Sequence, residues 1–354
     1  MQLDILSSNG MLKRKLDTMS GGDGTDGLGP RGGRMHGIHG AHLLSVREFD
    51  LDRTTYLLAC AERMKLLVKQ QGGDSRLKHR VLASVFYEPS TRTSCSFSAA
   101  MLRLGGSVVS VNAEQSSIQK GETLEDTIQT MGCYCDAIVL RHPVKGSAAQ
   151  AAAVSTKPVI NAGDGTGEHP TQALLDLFTI HSELPGRLLR QMADPEAVMT
   201  VALLGDLKNG RTVHSLVKML SLFPCMRLIY LSPPSLAMPA ELVEEIAAIP
   251  GRAIAQVTTM TLAEAILEAD VLYVTRIQKE RFASPEEYAA VCGSYCVDAE
   301  LMQKAKQSMI VMHPLPRNAE IATDVDSDPR AAYFRQMENG MYMRMAILDN
   351  MING

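Results

Sequence analysis

Short apolar, β-rich runs recur along the chain, separated by longer stretches of helical spacing. The runs fall at 81–87, 107–111, 137–140 and 158–161, and then at 199–204, 227–231, 253–257, 271–274 and 309–312. Residues spaced for helices occupy 52–71, 94–104, 170–184, 212–222, 239–249, 262–269, 299–306 and 329–348. Strands that alternate with helices pair in parallel, because a parallel neighbour is reached only through a crossover. The pattern predicts an α/β chain of two Rossmann-like domains, each a parallel sheet flanked by helices. Each sheet should hold five strands, or four and a short one. Pro185, Gly186 and Pro195 mark the break between them near 184–198. Asp50 or Asp52 is placed to cap the helix over 52–71. The expected division is 1–38, 39–184, 185–328, and a C-terminal helix at 329–354 that packs back on the first domain.

Residues 1–38 read differently. They are rich in glycine and poor in apolar side chains, with one weak helical stretch near 11–19. Such a segment buries too little surface to offset its ordering entropy, so it is expected to be a flexible tail or linker. Elsewhere the composition is that of two globular domains: 45% hydrophobic and 21% charged over 354 residues. The net charge of −4 argues against a protein that coats nucleic acid or an acidic membrane. An anionic substrate would have to be held by local positive charge. The seven cysteines include no CxxC pair and no His/Cys cluster of zinc spacing. They read as reduced thiols in a reducing compartment, which suggests the cytoplasm. No apolar run reaches the length of about 18 residues needed to span a membrane. Nor does the N-terminus carry the apolar core of a signal peptide. Lys13, Arg14, Lys15, Arg31 and Arg34 could suit an organelle leader, but Asp17, Asp23 and Asp26 argue against one.

The polar clusters all follow strands, where open parallel sheets bind their ligands. After 81–87 comes Glu88-Pro89-Ser90-Thr91-Arg92-Thr93, leading into a helix. Three hydroxyls, a guanidinium and the free amides of a helix start make a receptacle for a phosphate-like anion. An ordinary helix cap beside a surface arginine would read the same in isolation. The segment Ser116-Ser117-Ile118-Gln119-Lys120 follows the second strand and is either a solvated loop or a mobile arm carrying a lysine to an anion. Arg141-His142-Pro143 ends the third strand. His169-Pro170-Thr171-Gln172 opens a helix with proline in its first turn, so His169 and Gln172 share one face. The second half supplies Gly205-Asp206-Leu207-Lys208-Asn209-Gly210-Arg211, Thr275-Arg276-Ile277-Gln278 and His313-Pro314-Leu315-Pro316-Arg317. The first of these lacks GxGxxG, which argues against a nicotinamide site. Arg92, Lys120, Arg141, Arg211 and Arg276 together suffice for a phosphate and a dicarboxylate.

From about residue 40 onward, these motifs in this order resemble the aspartate carbamoyltransferases. The matching text also includes Gln119-Lys120-Gly121-Glu122-Thr123, Asn161-Ala162-Gly163-Asp164-Gly165 and Gly210-Arg211-Thr212-Val213-His214-Ser215. The resemblance implies transfer of a carbamoyl group from carbamoyl phosphate to L-aspartate, the second step of de novo pyrimidine synthesis. It implies a carbamoyl phosphate-binding domain at 39–184 and an aspartate-binding domain at 185–328. Ser90, Thr91, Arg92 and Thr93 would hold the phosphate, and Arg141 would bridge phosphate and carbonyl. Thr93, Arg141 and His169 would polarise the carbonyl oxygen, and Gln172 would bind the carbamoyl amide. Leu315 and Pro316 would offer backbone carbonyls to nitrogen. Arg211, Arg276 and Gln278 would bind the aspartate carboxylates, with Lys120 assisting. Ser116 and Lys120 would arrive from a neighbouring subunit of a homotrimer. No metal or organic cofactor is implied. The glycine-rich lead-in and the 326–342 segment look closer to the eukaryotic multifunctional pyrimidine proteins, which also carry carbamoyl phosphate synthetase and dihydroorotase domains. Ornithine carbamoyltransferase is the nearest alternative, but it typically shows His-Cys-Leu-Pro at 313–316, and Arg276 would repel ornithine's ammonium. A non-catalytic subunit retaining the fold is the other alternative, against which the complete anion cup and His169 both speak.

Overall fold

The computed structural model of the chain describes residues 38–112, 116–194, 196–277 and 295–353. Of the expected tail at 1–38, residues 1–37 lie outside the described residues, as does the candidate ligand Gln278, while Ile38 is buried in the core rather than part of a loose tail.

Two parallel sheets organise the chain. The first contains β1 (Val81–Phe86), β2 (Ser107–Asn112), β3 (Ala137–His142) and β4 (Val159–Asp164), in the order β2-β1-β3-β4. Leu43 adds a single parallel bridge to Ile160 on the outer side of β4, the short fifth member. The second contains β5 (Met199–Leu204), β6 (Cys225–Leu231), β7 (Ala253–Val257), β8 (Val271–Val274) and β9 (Ile310–Met312), in the order β7-β6-β5-β8-β9. In each sheet the first strand lies inside, and the chain winds first to one side of it and then to the other. The reversals fall between β1 and β3 and between β5 and β8. Crevices open at the carboxyl ends of strands at such reversals.

The helices are α1 (Leu51–Gln71), α2 (Thr91–Arg103), α3 (Leu124–Tyr134), α4 (Ser147–Val154), α5 (Pro170–Glu183) and α6 (Arg187–Arg190) in the first half. The second half has α7 (Arg211–Leu220), α8 (Ala240–Ala247), α9 (Leu262–Glu268), α10 (Ala299–Lys304) and α11 (Tyr333–Ile352). Asp50 caps α1, accepting from the Arg53 amide at 2.7 Å. Helix α11 packs against α1, α2 and α5, so the chain returns to the first domain. Helix α5 also packs against α7 of the second half. One apolar core consequently runs without a break from Phe97 and Phe178 to Leu203, Phe223 and Tyr342.

Three of the differences from the sequence expectation have a clear local reason. Helix α2 begins at Thr91 rather than 94, so Thr91, Arg92 and Thr93 form its first turn. The segment 329–332 is not helical, because Val311 of β9 donates to the Arg330 carbonyl and accepts from the Ala332 amide, both at 2.8 Å. The helix starts only after that pairing and then runs on to Ile352, since Leu348 and Met351 are also buried. The break near 184–198 contains the single turn α6, pinned by the fully buried Leu188.

Gly205 marks where the second sheet meets the crevice. Its φ is +118°, and a Cβ there would strike the Thr275 carbonyl and lie 2.6 Å from the Thr275 hydroxyl. Thr275 itself is held by Leu204, whose carbonyl accepts from its amide at 2.7 Å and its hydroxyl at 3.0 Å. Gly205→Ala is expected to cost about 1–3 kcal/mol of stability, read as a lower midpoint in chemical denaturation. An unchanged midpoint would show that this close approach is not enforced.

Candidate active site

The anion cup is built by the turn from β1 into α2. Ser90 occupies the cap position of α2, yet its side chain makes no capping hydrogen bond. The hydroxyl and the first-turn amides are thereby left to serve a ligand. Thr93 is buried at the floor, while Thr91 and Arg92 are exposed at the rim.

Arg141 lies inside β3, which continues through it to His142. Its Nη1 donates to the Ala162 carbonyl at 3.1 Å, and its Nε lies 3.4 Å from Glu88 Oε2. Arg211 comes from the opposite domain, at the start of α7, and donates through Nη1 to the Gly165 carbonyl. The two guanidinium groups converge over Gly163, where a Cβ would lie 3.0 Å from Arg211 Cζ and 3.1 Å from Arg141 Nη1. Glycine at that position, with φ +115°, is what lets both approach the backbone.

His169 occupies the position before α5 without a side-chain cap and is buried, its amide donating to Ser215 Oγ of α7 at 3.4 Å. The Thr171 hydroxyl lies 3.4 Å from Nδ1. Gln172, one turn into α5, is also buried and donates from Nε2 to Asp176 Oδ1 at 2.8 Å.

Beyond β9, His313 organises the proline loop. Its Nδ1 accepts from the Leu315 amide at 2.8 Å, so Nε2 carries the proton and donates to Glu320 Oε1 at 2.9 Å. Leu315 adopts φ +53°, and its peptide bond to Pro316 is cis.

All of these elements face one cavity of about 1000 Å³. It is lined by Ser90, Thr91, Arg92 and Thr93 of the cup, by Arg141, His169 and Gln172, and by Arg211, Arg276, Leu315 and Pro316. Eleven of the fourteen sequence-derived candidates thus come together in one chain. Ser116 and Lys120 do not; they line a separate cavity of about 420 Å³ with Glu122 and Met131. The reason is topological: their segment follows β2, the outer strand of its sheet, on the far side of β1 from β3.

Two charged lining residues carry parts that the sequence did not assign to them. Glu88 is the counter-charge to Arg141. Arg344, from the middle of α11, is buried with its guanidinium 4.9 Å above the Phe97 ring and its Nη1 donating to Ser96 Oγ at 2.6 Å. An arginine amid the apolar stretch 341–348 was the available signal, masked by the assumption that this helix serves packing alone.

The electrostatics follow from burial. Desolvation and the neighbouring Arg211 bring Arg141 down to about 10, against the pull of Glu88. Desolvation likewise brings Arg344 down to about 10, opposed by Asp176. His169 is held well below the usual histidine range by burial and by Arg211, Arg141 and Arg344. The site is therefore a set of crowded cations around a neutral imidazole, and a multiply charged anion would relieve their repulsion.

Comparison with known proteins gives the same picture. Residues 41–182 match the carbamoyl-P binding domain, and 198–351 the Asp/Orn binding domain, of aspartate/ornithine carbamoyltransferases. A multifunctional protein of Dictyostelium discoideum is 51% identical over 311 residues, spanning 88% of this chain but 13% of its own length. This chain therefore corresponds to only a small part of such relatives. The aspartate carbamoyltransferase catalytic subunit of Archaeoglobus fulgidus is 49% identical over 312 residues, 88% of this chain and 99% of that protein. The structure of aspartate transcarbamoylase from Trypanosoma cruzi bound to N-(phosphonacetyl)-L-aspartic acid superposes with a TM-score of 0.81 at 45% identity, covering 89% of this chain and 97% of that one. With both of its halves matched in order and the cation-lined cavity between them, the chain belongs to the aspartate/ornithine carbamoyltransferase family.

Proposed function

We propose that this chain transfers the carbamoyl group of carbamoyl phosphate to the amine of L-aspartate, giving N-carbamoyl-L-aspartate and phosphate in de novo pyrimidine synthesis. The observation that carries this reading is the pairing across one cavity of an anion cup at α2 with Arg211 and Arg276 from the opposite domain. A phosphate on one side and two carboxylates on the other satisfy those cations; the ammonium of ornithine would face Arg276 and be repelled. Structures of the Trypanosoma cruzi protein are described with carbamoyl phosphate and aspartate, and with carbamoyl aspartate and phosphate, which supports the same substrates here.

In this reading residues 39–184 form the carbamoyl phosphate-binding domain and 185–328 the aspartate-binding domain, with the C-terminal helix returning to the first. Ser90, Thr91, Arg92 and Thr93 hold the phosphate. Arg141, Thr93 and neutral His169 donate to the carbonyl oxygen as attack by the amine builds negative charge there. Each such donor is worth about 3–4 kcal/mol of transition-state stabilisation when removed singly. Gln172 and the backbone carbonyls of Leu315 and Pro316 receive the carbamoyl nitrogen. Arg211, Arg276 and Gln278 bind the aspartate carboxylates, with Lys120 assisting. The departing phosphate accepts the amine proton, so no side-chain base is required. Ser116 and Lys120 complete the site of a neighbouring copy in a homotrimer, which accounts for their separate cavity. The likeness to the multifunctional relatives supports a place beside carbamoyl phosphate synthetase and dihydroorotase domains in the cytoplasm.

Three outcomes are expected. The chain should release phosphate from carbamoyl phosphate with L-aspartate and not with ornithine, and Arg276→Ala should lower kcat/KM for aspartate about 100-fold or more while phosphate binding changes little. Release with ornithine alone would overturn the assignment. Lys120→Ala and Arg92→Ala chains, each inactive, should regain part of the activity when dissociated and reassembled together; no recovery in mixed assemblies would rule out a shared site. Because His169 stays neutral well below its ordinary value, the rate should carry no His169-dependent inflection between pH 6 and 8. A step near pH 6.5 that disappears in His169→Gln would contradict a neutral donor.

A further inference from the structure

Behind the cavity wall stands a carboxylate to which the reaction above gives no part. Asp176 is fully buried on α5, one turn beyond Gln172. Its Oδ1 accepts from Gln172 Nε2 at 2.8 Å and from Gln336 Nε2 at 2.6 Å, and its Oδ2 accepts from the Tyr273 hydroxyl at 2.7 Å. The three donors come from α5, α11 and β8, so one side chain joins the first domain, the returning helix and the second sheet. Burial pushes the Asp176 carboxyl up to about 7, while its three hydrogen bonds and the buried Arg344 pull it back. A carboxylate taken out of water costs several kcal/mol even after relaxation. Packing alone would be served as well by leucine.

Each partner of Asp176 is one step from the substrate cavity. Gln172 lines it. Gln336 turns its Oε1 to the His313 amide at 2.9 Å, and His313 holds the Leu315 amide at 2.8 Å. Tyr273 lies three residues before Arg276 on the same strand and its exit. Asp176 accepts at all three of these contacts, and this decides which way both amides face. Gln172 must give its NH2 to Asp176, so its oxygen is the end left for the cavity. Gln336 must do the same, which puts its oxygen where the His313 amide needs an acceptor.

Resting on the carbamoyl-transfer reading, we propose that Asp176 is a positioning residue that sets the site's preference for an NH2-bearing acyl phosphate. By fixing the Gln172 oxygen and the seat of the 313–316 loop together, it presents acceptors to the carbamoyl nitrogen. An acyl phosphate with a methyl group in place of that NH2 leaves the same acceptors buried and unpaired, and is rejected.

The test compares carbamoyl phosphate, acetyl phosphate and inorganic phosphate on the full chain. Asp176→Asn should weaken carbamoyl phosphate by about tenfold or more, lower kcat with it, and leave the dissociation constants of acetyl phosphate and inorganic phosphate within about twofold. In a Gln172→Ala background most of that added loss should vanish, as expected when one residue acts through the other. Equal weakening of all three ligands, or full additivity with Gln172→Ala, would overturn the proposal. Should Asp176→Asn fail to fold, Gln336→Met tests the same hub and must narrow the ratio of carbamoyl to acetyl phosphate affinity; an unchanged ratio overturns it. The wild-type assay run alongside separates the two levels. Turnover by wild type with an unaltered ratio in the variants removes the hub alone, whereas no turnover by wild type removes the reading beneath it.

Discussion

The structure depends on holding several buried or half-buried guanidinium groups of like charge within one crevice. Arg141 and Arg211 approach each other across Gly163, and Arg344 lies behind the cup. Like charges at such range repel, and removal from water weakens their hydration. The fold meets that cost with fixed acceptors rather than with solvent. The carbonyls of Ala162 and Gly165 each take a guanidinium hydrogen bond, Glu88 faces Arg141, and Asp176 opposes Arg344. What remains is a positive potential shaped by these fixed hydrogen bonds and ion pairs. Preorganisation of that kind is the largest source of catalysis in many enzymes.

The location of the crevice follows from winding. Both sheets reverse direction beside their first strand, and each reversal opens at carboxyl ends. Helices α5, α7 and α11 then pack the two sheets together through one continuous core. The cup and Arg141 belong to one reversal; Arg211 and Arg276 belong to the other. Several polar contacts cross between the halves, including His169 to Ser215, Arg211 to Gly165 and Tyr273 to Asp176. The domains are thus coupled by side chains that line the cavity or stand directly behind those that do.

Much of this was legible in the chain itself. All nine strands of the two sheets lie where apolar runs recur, and those buried throughout, such as β5 and β8, are apolar along nearly their whole length. The loops after those strands carry polar clusters, and a parallel sheet leaves few other places for them to act. Helix ends were less legible: the first turn of α2 begins inside the Ser-Thr-Arg-Thr motif, and β9 borrows 330–332 for pairing before α11 can start. Glu88, Asp176 and Arg344 were given no role in the sequence for a common reason. Each acts through a partner distant in sequence, and Asp176 and Arg344 lie within helices whose periodicity advertises packing alone. Gln278 falls outside the described residues, and Ser116 and Lys120 face a cavity of their own.

Titration calorimetry with N-(phosphonacetyl)-L-aspartic acid, which carries a phosphonate and two carboxylates on one frame, tests the central claim most directly. Saturable binding to the wild-type chain is expected, displaced competitively by inorganic phosphate, weakened as ionic strength rises, and reduced by Arg141→Ala and by Arg276→Ala alike. Binding that ignores either arginine, or that phosphate does not displace, would mean that the cations of the two domains do not form one site.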